Sequence, residues 1–173
     1  MPRPNTPASS SSISARNRSP TPHASREDIN PNTAWIHRRG FKRFYVFLIV
    51  GIFFVLNALG TSKSLNATIT LQLHAMMSFL LLHWNKGVPD GGLLQEDDAH
   101  KTFWEQLDGD YLYTPTRKFL MAVPIFLFFA SVALTGNDLV PLVLNAAATL
   151  FLTVVPKHGA LFGVRLFGIN KLE

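Results

Sequence analysis

Residues 85–118 read NKGVPDGGLLQEDDAHKTFWEQLDGDYLYTPTRK, and they carry seven of the chain's acids together with four bases. Two long apolar runs precede this segment and two follow it, at 44–60, 65–84, 119–135 and 139–155. A charged stretch of that length between hydrophobic pairs is the exposed middle of a small membrane protein. Each apolar run is 17 to 20 residues long, close to the roughly 20 that a helix needs to cross the hydrocarbon core. The sequence therefore predicts an all-α integral membrane protein. Its 173 residues divide into a Ser/Pro/Arg-rich tail over 1–28 and a four-span transmembrane helix bundle over 29–173.

Composition supports that division. Apolar residues make up 47% of the chain and charged residues only 16%, against about 25% charged in a soluble domain. The chain has no Cys, so it can form neither a disulfide framework nor a thiolate site. The net charge of +5 comes from bases that flank apolar runs rather than alternating with aromatics along one face. That placement fits an orientation signal and contact with anionic membrane lipids, not nucleic acid.

The tail has almost no large apolar side chains and cannot bury enough surface to offset its ordering entropy, so the sequence predicts it disordered. No apolar core precedes Phe44, and this excludes a secretory leader within the tail. Ser9, Ser10, Ser11, Ser12 and Ser14 form a hydroxyl cluster, and Ser19 stands beside Arg18 and before Pro20. These serines are the candidate phosphorylation sites, where each phosphate would add about −2 charge beside a basic stretch. Asn30-Pro31-Asn32-Thr33 is turn chemistry, and Trp35 with the following bases suits an interfacial anchor.

Within the second run Asn66, Thr70, His74 and Ser78 recur every four residues, which places them on one helical stripe. In lipid such a stripe turns toward other helices, either as packing contacts or as a pocket. Thr114-Pro115 supplies an N-cap and a first-turn proline for the third run. Pro124 removes a hydrogen bond inside that run, and Pro156 ends the fourth. Eight bases precede the first run, four lie in the central segment and three in the C-terminal tail; only Lys63 sits in the short connections. Fifteen of 16 bases thus fall on one side, and the positive-inside rule makes that side, with both termini, cytosolic.

Catalytic signatures are missing. No two of the six His have the spacing that would put both on one helix face for zinc. Asp97-Asp98-Ala99-His100 is a compact acidic turn, and no metal is assigned to it. There is no nucleophile elbow, phosphate loop or dinucleotide fingerprint. The sequon Asn66-Ala67-Thr68 lies at the mouth of a span, too near the membrane for easy modification. Apart from the second run, the apolar runs contain no acid, Lys, Arg or His. This counts against the two rival readings, a small integral-membrane lipid-modifying enzyme or a transporter.

Four ordered blocks resemble the ORM/ORMDL family of endoplasmic-reticulum membrane proteins. They are Asn30-Pro31-Asn32-Thr33; His83-Trp84-Asn85-Lys86-Gly87-Val88-Pro89, with Val88 where the family usually has Thr; Trp104-Glu105-Gln106-Leu107-Asp108 through Thr114-Pro115-Thr116-Arg117-Lys118-Phe119-Leu120; and Val164-Arg165-Leu166-Phe167-Gly168-Ile169-Asn170. The resemblance implies a non-catalytic, cofactor-free regulatory subunit of serine palmitoyltransferase, the enzyme that condenses serine with an acyl-CoA at the start of sphingolipid synthesis. Its partners would be the catalytic subunits, ceramide and membrane lipids, and it would restrain the enzyme when ceramide is plentiful. The family's ceramide-contacting asparagine matches Asn32, flanked by Asn30, Pro31 and Thr33. The long tail resembles fungal members, in which phosphorylation relieves inhibition.

Overall fold

The structure, a computed structural model, describes residues 30–87, 100–108, 111–136 and 138–164. The tail at 1–28 with its candidate serines, and Asp97 and Asp98, lie outside the described residues.

The chain enters through a 3-10 helix, Pro31–His37, and turns at Gly40, whose φ of 106° suits a residue without a Cβ. Helix α1, Phe41–Ala58, begins three residues before the apolar run at 44–60. Lys42 and Arg43 occupy its first turn, where long side chains bury their stems and hold their charge toward a polar medium. Helix α2, Lys63–Phe79, is N-capped by Ser62, whose hydroxyl accepts from the Leu65 amide. It continues as a wider π-helical stretch, Leu80–Trp84. The central segment contributes a single helical turn, α3, Phe103–Gln106.

Helix α4, Pro115–Thr135, has Thr114 as N-cap and proline in its first turn, as the sequence predicts. It runs through Pro124 without ending there. Pro124 is fully buried, so its ring packs among neighbours that hold the helix together around the missing bond. Helix α5, Leu139–Ala147, passes into a π-helical stretch, Ala148–Val154. It closes in a 3-10 turn, Val155–Lys157, that contains Pro156.

All four long helices have the length and apolarity to cross a membrane, so the chain is a membrane protein. α2 is the central one. It packs against α1, α4 and α5, and 39% of its most apolar stretch is buried, against 6% for α1. Phe44, Phe47, Phe54 and Val55 of α1 are all exposed. In water so large an apolar face would be a liability; in a bilayer it meets acyl chains.

Two apolar clusters divide the interior. Leu71, Ala75 and Ala148 pack in mid-bundle, with Leu127, Phe128 and Leu152 against them. Ile36, Leu82, Phe103, Trp104, Leu107 and Leu120 form the second, at the end where α1 and α4 begin and α2 and α5 finish. This second cluster corrects the reading of 85–118 as a wholly exposed middle, because Phe103, Trp104, Glu105, Gln106, Leu107 and Asp108 are all buried. Phe103, Trp104 and Leu107 are spaced to share one face of a helical turn. That turn drives an apolar wedge into the end of the bundle.

Candidate functional site

The wedge and the 3-10 helix together cap this end of the bundle. Thr102 and Glu105 form a capping box around α3: the Glu105 carboxylate accepts from the Thr102 amide at 2.7 Å, and the Thr102 hydroxyl accepts from the Glu105 amide. Four residues are too few for a helix to stand alone, so reciprocal capping and burial of Phe103 and Trp104 hold the turn. Trp35 lays its ring 5.2 Å from Phe41 and 5.8 Å from Phe103, which seats the 3-10 helix on the wedge.

Polar contacts fasten both ends of that helix. At its start, the Asn30 side chain accepts from the Asn32 amide at 2.9 Å. The Thr33 hydroxyl donates to the Asn30 carbonyl at 3.1 Å. Asn32 Nδ2 donates to Gln106 Oε1 at 3.0 Å. Gln106 Nε2 in turn donates to the carbonyls of Gly87 (2.9 Å) and Lys101 (3.1 Å). These bonds sit beside the antiparallel bridge of Lys86 with Thr102. At the other end of the helix, His37 Nε2 lies 3.1 Å from Asp108 Oδ1. Asp108 holds a left-handed backbone with φ 59°, a region that short polar side chains tolerate better than most. The Thr114 hydroxyl donates to the Asp108 carboxylate while accepting from the Arg117 amide. The contact at His37 therefore reaches the N-cap of α4.

Beneath this layer two basic side chains are buried. Arg117 donates to the Leu107 carbonyl, with its guanidinium 5.0 Å from the Trp104 ring and 5.1 Å from Phe162. Lys157 Nζ donates to Ser78 Oγ at 3.1 Å. Deeper in the bundle the stripe of α2 turns inward, as its spacing predicts. Asn66, Thr70, His74 and Ser78 are all buried, and the Tyr45 hydroxyl meets His74 Nε2 at 2.7 Å. Asn66 is fully enclosed and accepts from the Thr61 hydroxyl, so this sequon is closed to a glycosyl donor.

Of the residues the sequence singled out, Asn30, Asn32 and Thr33 converge on the cap. Pro31 provides its first turn. Gln106, Asp108 and Arg117 stand in a block that carries the family resemblance but were given no role at the site, and Lys157 was given none either. The spacing of Phe103, Trp104 and Leu107 within a charged segment was the available signal for the wedge. Among the described residues no group of three His, Asp or Glu is placed to hold a metal ion. The cap is built to hold backbone and side-chain amides in fixed orientations.

These features define a small polytopic membrane protein of four helices, closed at one end by a buried polar and aromatic cap. Similarity to known proteins carries the assignment further. The profile of the ORMDL family matches residues 30–165, and the chain belongs to that family. It is 37% identical over 145 residues to ORM1-like protein 3 of Homo sapiens, covering 83% of this chain and 94% of the relative. It is 36% identical over 147 residues to ORM1-like protein of Drosophila melanogaster, with the same two coverages. Protein ORM2 of Saccharomyces cerevisiae is 33% identical over 140 residues, which span 79% of this chain and 63% of the yeast protein.

Proposed function

We propose that this chain is a non-catalytic regulatory subunit of serine palmitoyltransferase in the endoplasmic-reticulum membrane, with both termini cytosolic. On this reading it restrains sphingolipid synthesis when ceramide is plentiful and so contributes to ceramide homeostasis. The observation that carries the reading is the family match over 30–165, which includes the cap and Asn32. Asn32 is the position that the resemblance gives to ceramide. A neutral amide at a membrane interface suits that role, because it can pair with the amide and hydroxyls of a ceramide head group. The segment before Asn30 would then reach the catalytic subunits and obstruct substrate access. Phosphorylation of Ser9, Ser10, Ser11, Ser12, Ser14 or Ser19 would relieve the inhibition.

The test is affinity purification of the full chain from detergent-solubilised membranes, with palmitoyltransferase activity assayed with and without short-chain ceramide. The expected result is co-purification of a large synthase that ceramide suppresses only when this subunit is intact. If no synthase co-purifies, the partner is wrong, and an enzymatic or transport role has to be reconsidered. Asn32→Ala is expected to abolish ceramide-dependent inhibition. Because Asn32 also binds Gln106, complex assembly must be measured on the same preparation.

A further inference from the structure

A side-chain amide has a donor end and an acceptor end, and whatever holds one end decides which is left for a ligand. Gln106 is buried, and its Nε2 faces two backbone carbonyls, those of Gly87 and Lys101. Carbonyls only accept, so the orientation of the Gln106 amide is fixed by its surroundings. Its Oε1 is therefore the atom that faces Asn32, and Asn32 must present Nδ2 to it. Asn32 Oδ1 is left over. It is buried, and no donor among the described residues reaches it. A buried acceptor without a donor is rare in folded proteins and costly to keep.

We propose that Gln106 is a positioning residue that holds Asn32 with Oδ1, its one polar side-chain atom without a partner among the described residues, as the function offered to a ligand. The ligand of this site is then recognised through an N–H or O–H that it donates. This inference rests on reading Asn32 as the ceramide contact, and in ceramide the available donors are the amide N–H and the C1 and C3 hydroxyls. Asn32 is only 4% exposed, so Oδ1 is not presented on an open surface. The selectivity is set by Gln106, which need not touch the ligand.

The experiment uses the purified synthase complex containing the full chain. Inhibition is titrated with short-chain ceramide and with an analogue methylated at the amide nitrogen and at both the C1 and C3 hydroxyls. With the native subunit the analogue is expected to need about tenfold more for half-inhibition, the effect of leaving a buried acceptor unmatched. Gln106→Met keeps the length of the side chain but frees the Asn32 amide to turn, so Nδ2 can pair with an oxygen of the analogue. The two ligands should then differ by about threefold or less. Gln106→Glu retains an acceptor for Asn32 Nδ2 and should preserve the discrimination, although it loses the donors to Gly87 and Lys101.

Equal potency of the two ligands on the native subunit overturns the proposal, whether or not any variant assembles. So does discrimination that persists unchanged in Gln106→Met, because the penalty would then be steric. A full ceramide response in Asn32→Ala is a different failure. It removes the reading of Asn32 itself, independently of Gln106.

Discussion

Lys157 is 3% exposed and makes its hydrogen bond to Ser78 Oγ; the Trp104 ring centroid lies 6.0 Å from its Nζ. A single hydroxyl and a distant ring are poor compensation for removing an amine from water. Lys157→Met keeps the reach of the side chain and discards the polar head. It is expected to leave stability unchanged or raise it by about 1–4 kcal/mol, as replacement of buried charge by apolar atoms often does. Ser78→Ala makes the opposite change, since it leaves the amine buried without its acceptor, and should cost about 1–3 kcal/mol. Thermal unfolding of the two variants in the same detergent compares them directly. A larger loss for Lys157→Met than for Ser78→Ala would show that the amine stabilises the fold through contacts other than this hydrogen bond.

Among the long helices, α2, α4 and α5 are joined through one side chain. Asn145 of α5 is fully buried; its Nδ2 donates to Thr68 Oγ1 at 3.3 Å and to Ser131 Oγ at 3.2 Å, and its Oδ1 accepts from Gln72 Nε2 at 3.2 Å. Polar contacts between membrane helices average about 0.6 kcal/mol each and rarely exceed 1.7. Asn145→Leu should therefore destabilise the bundle by about 1–2 kcal/mol, read as a lower midpoint in denaturant titration of detergent-solubilised protein. An unchanged midpoint would mean that apolar packing alone holds the three helices.

Elements were far more legible in the sequence than these junctions. Apolar length gave the four helices, four-residue spacing gave the buried stripe of α2, and Thr114-Pro115 gave the start of α4. Asn145 gave no signal because its partners on α2 lie 73 and 77 residues away, beyond any local period. The wedge at Phe103 was masked by the acids around it, since a short apolar face within a charged segment averages out as polar. At the candidate site, Asn32 was visible only through the family resemblance. Its lock by Gln106 spans 74 residues of sequence and required the fold.

At the scale of the whole molecule, the cap assembles from segments that the charge distribution puts on one side of the membrane. The 3-10 helix, the bridge of Lys86 with Thr102, α3 and the end of α5 all meet there. Four spans return the chain to the side on which it began. The proposed function requires that side to be cytosolic, as the positive-inside rule expects, if the tail is to meet a cytosolic active site. The chain contains no Cys, so single cysteines can map the orientation without any background to remove. In sealed microsomes whose cytosolic face is outward, Ser12→Cys and Gln95→Cys should react with a membrane-impermeant maleimide before permeabilisation. Lys63→Cys, at the exposed start of α2, should react only afterwards. Early labelling of all three would mean that α1 does not separate Lys63 from the tail. Early labelling of Lys63→Cys alone would invert the protein and place the cap, with Asn32, in the lumen, away from any cytosolic tail contact.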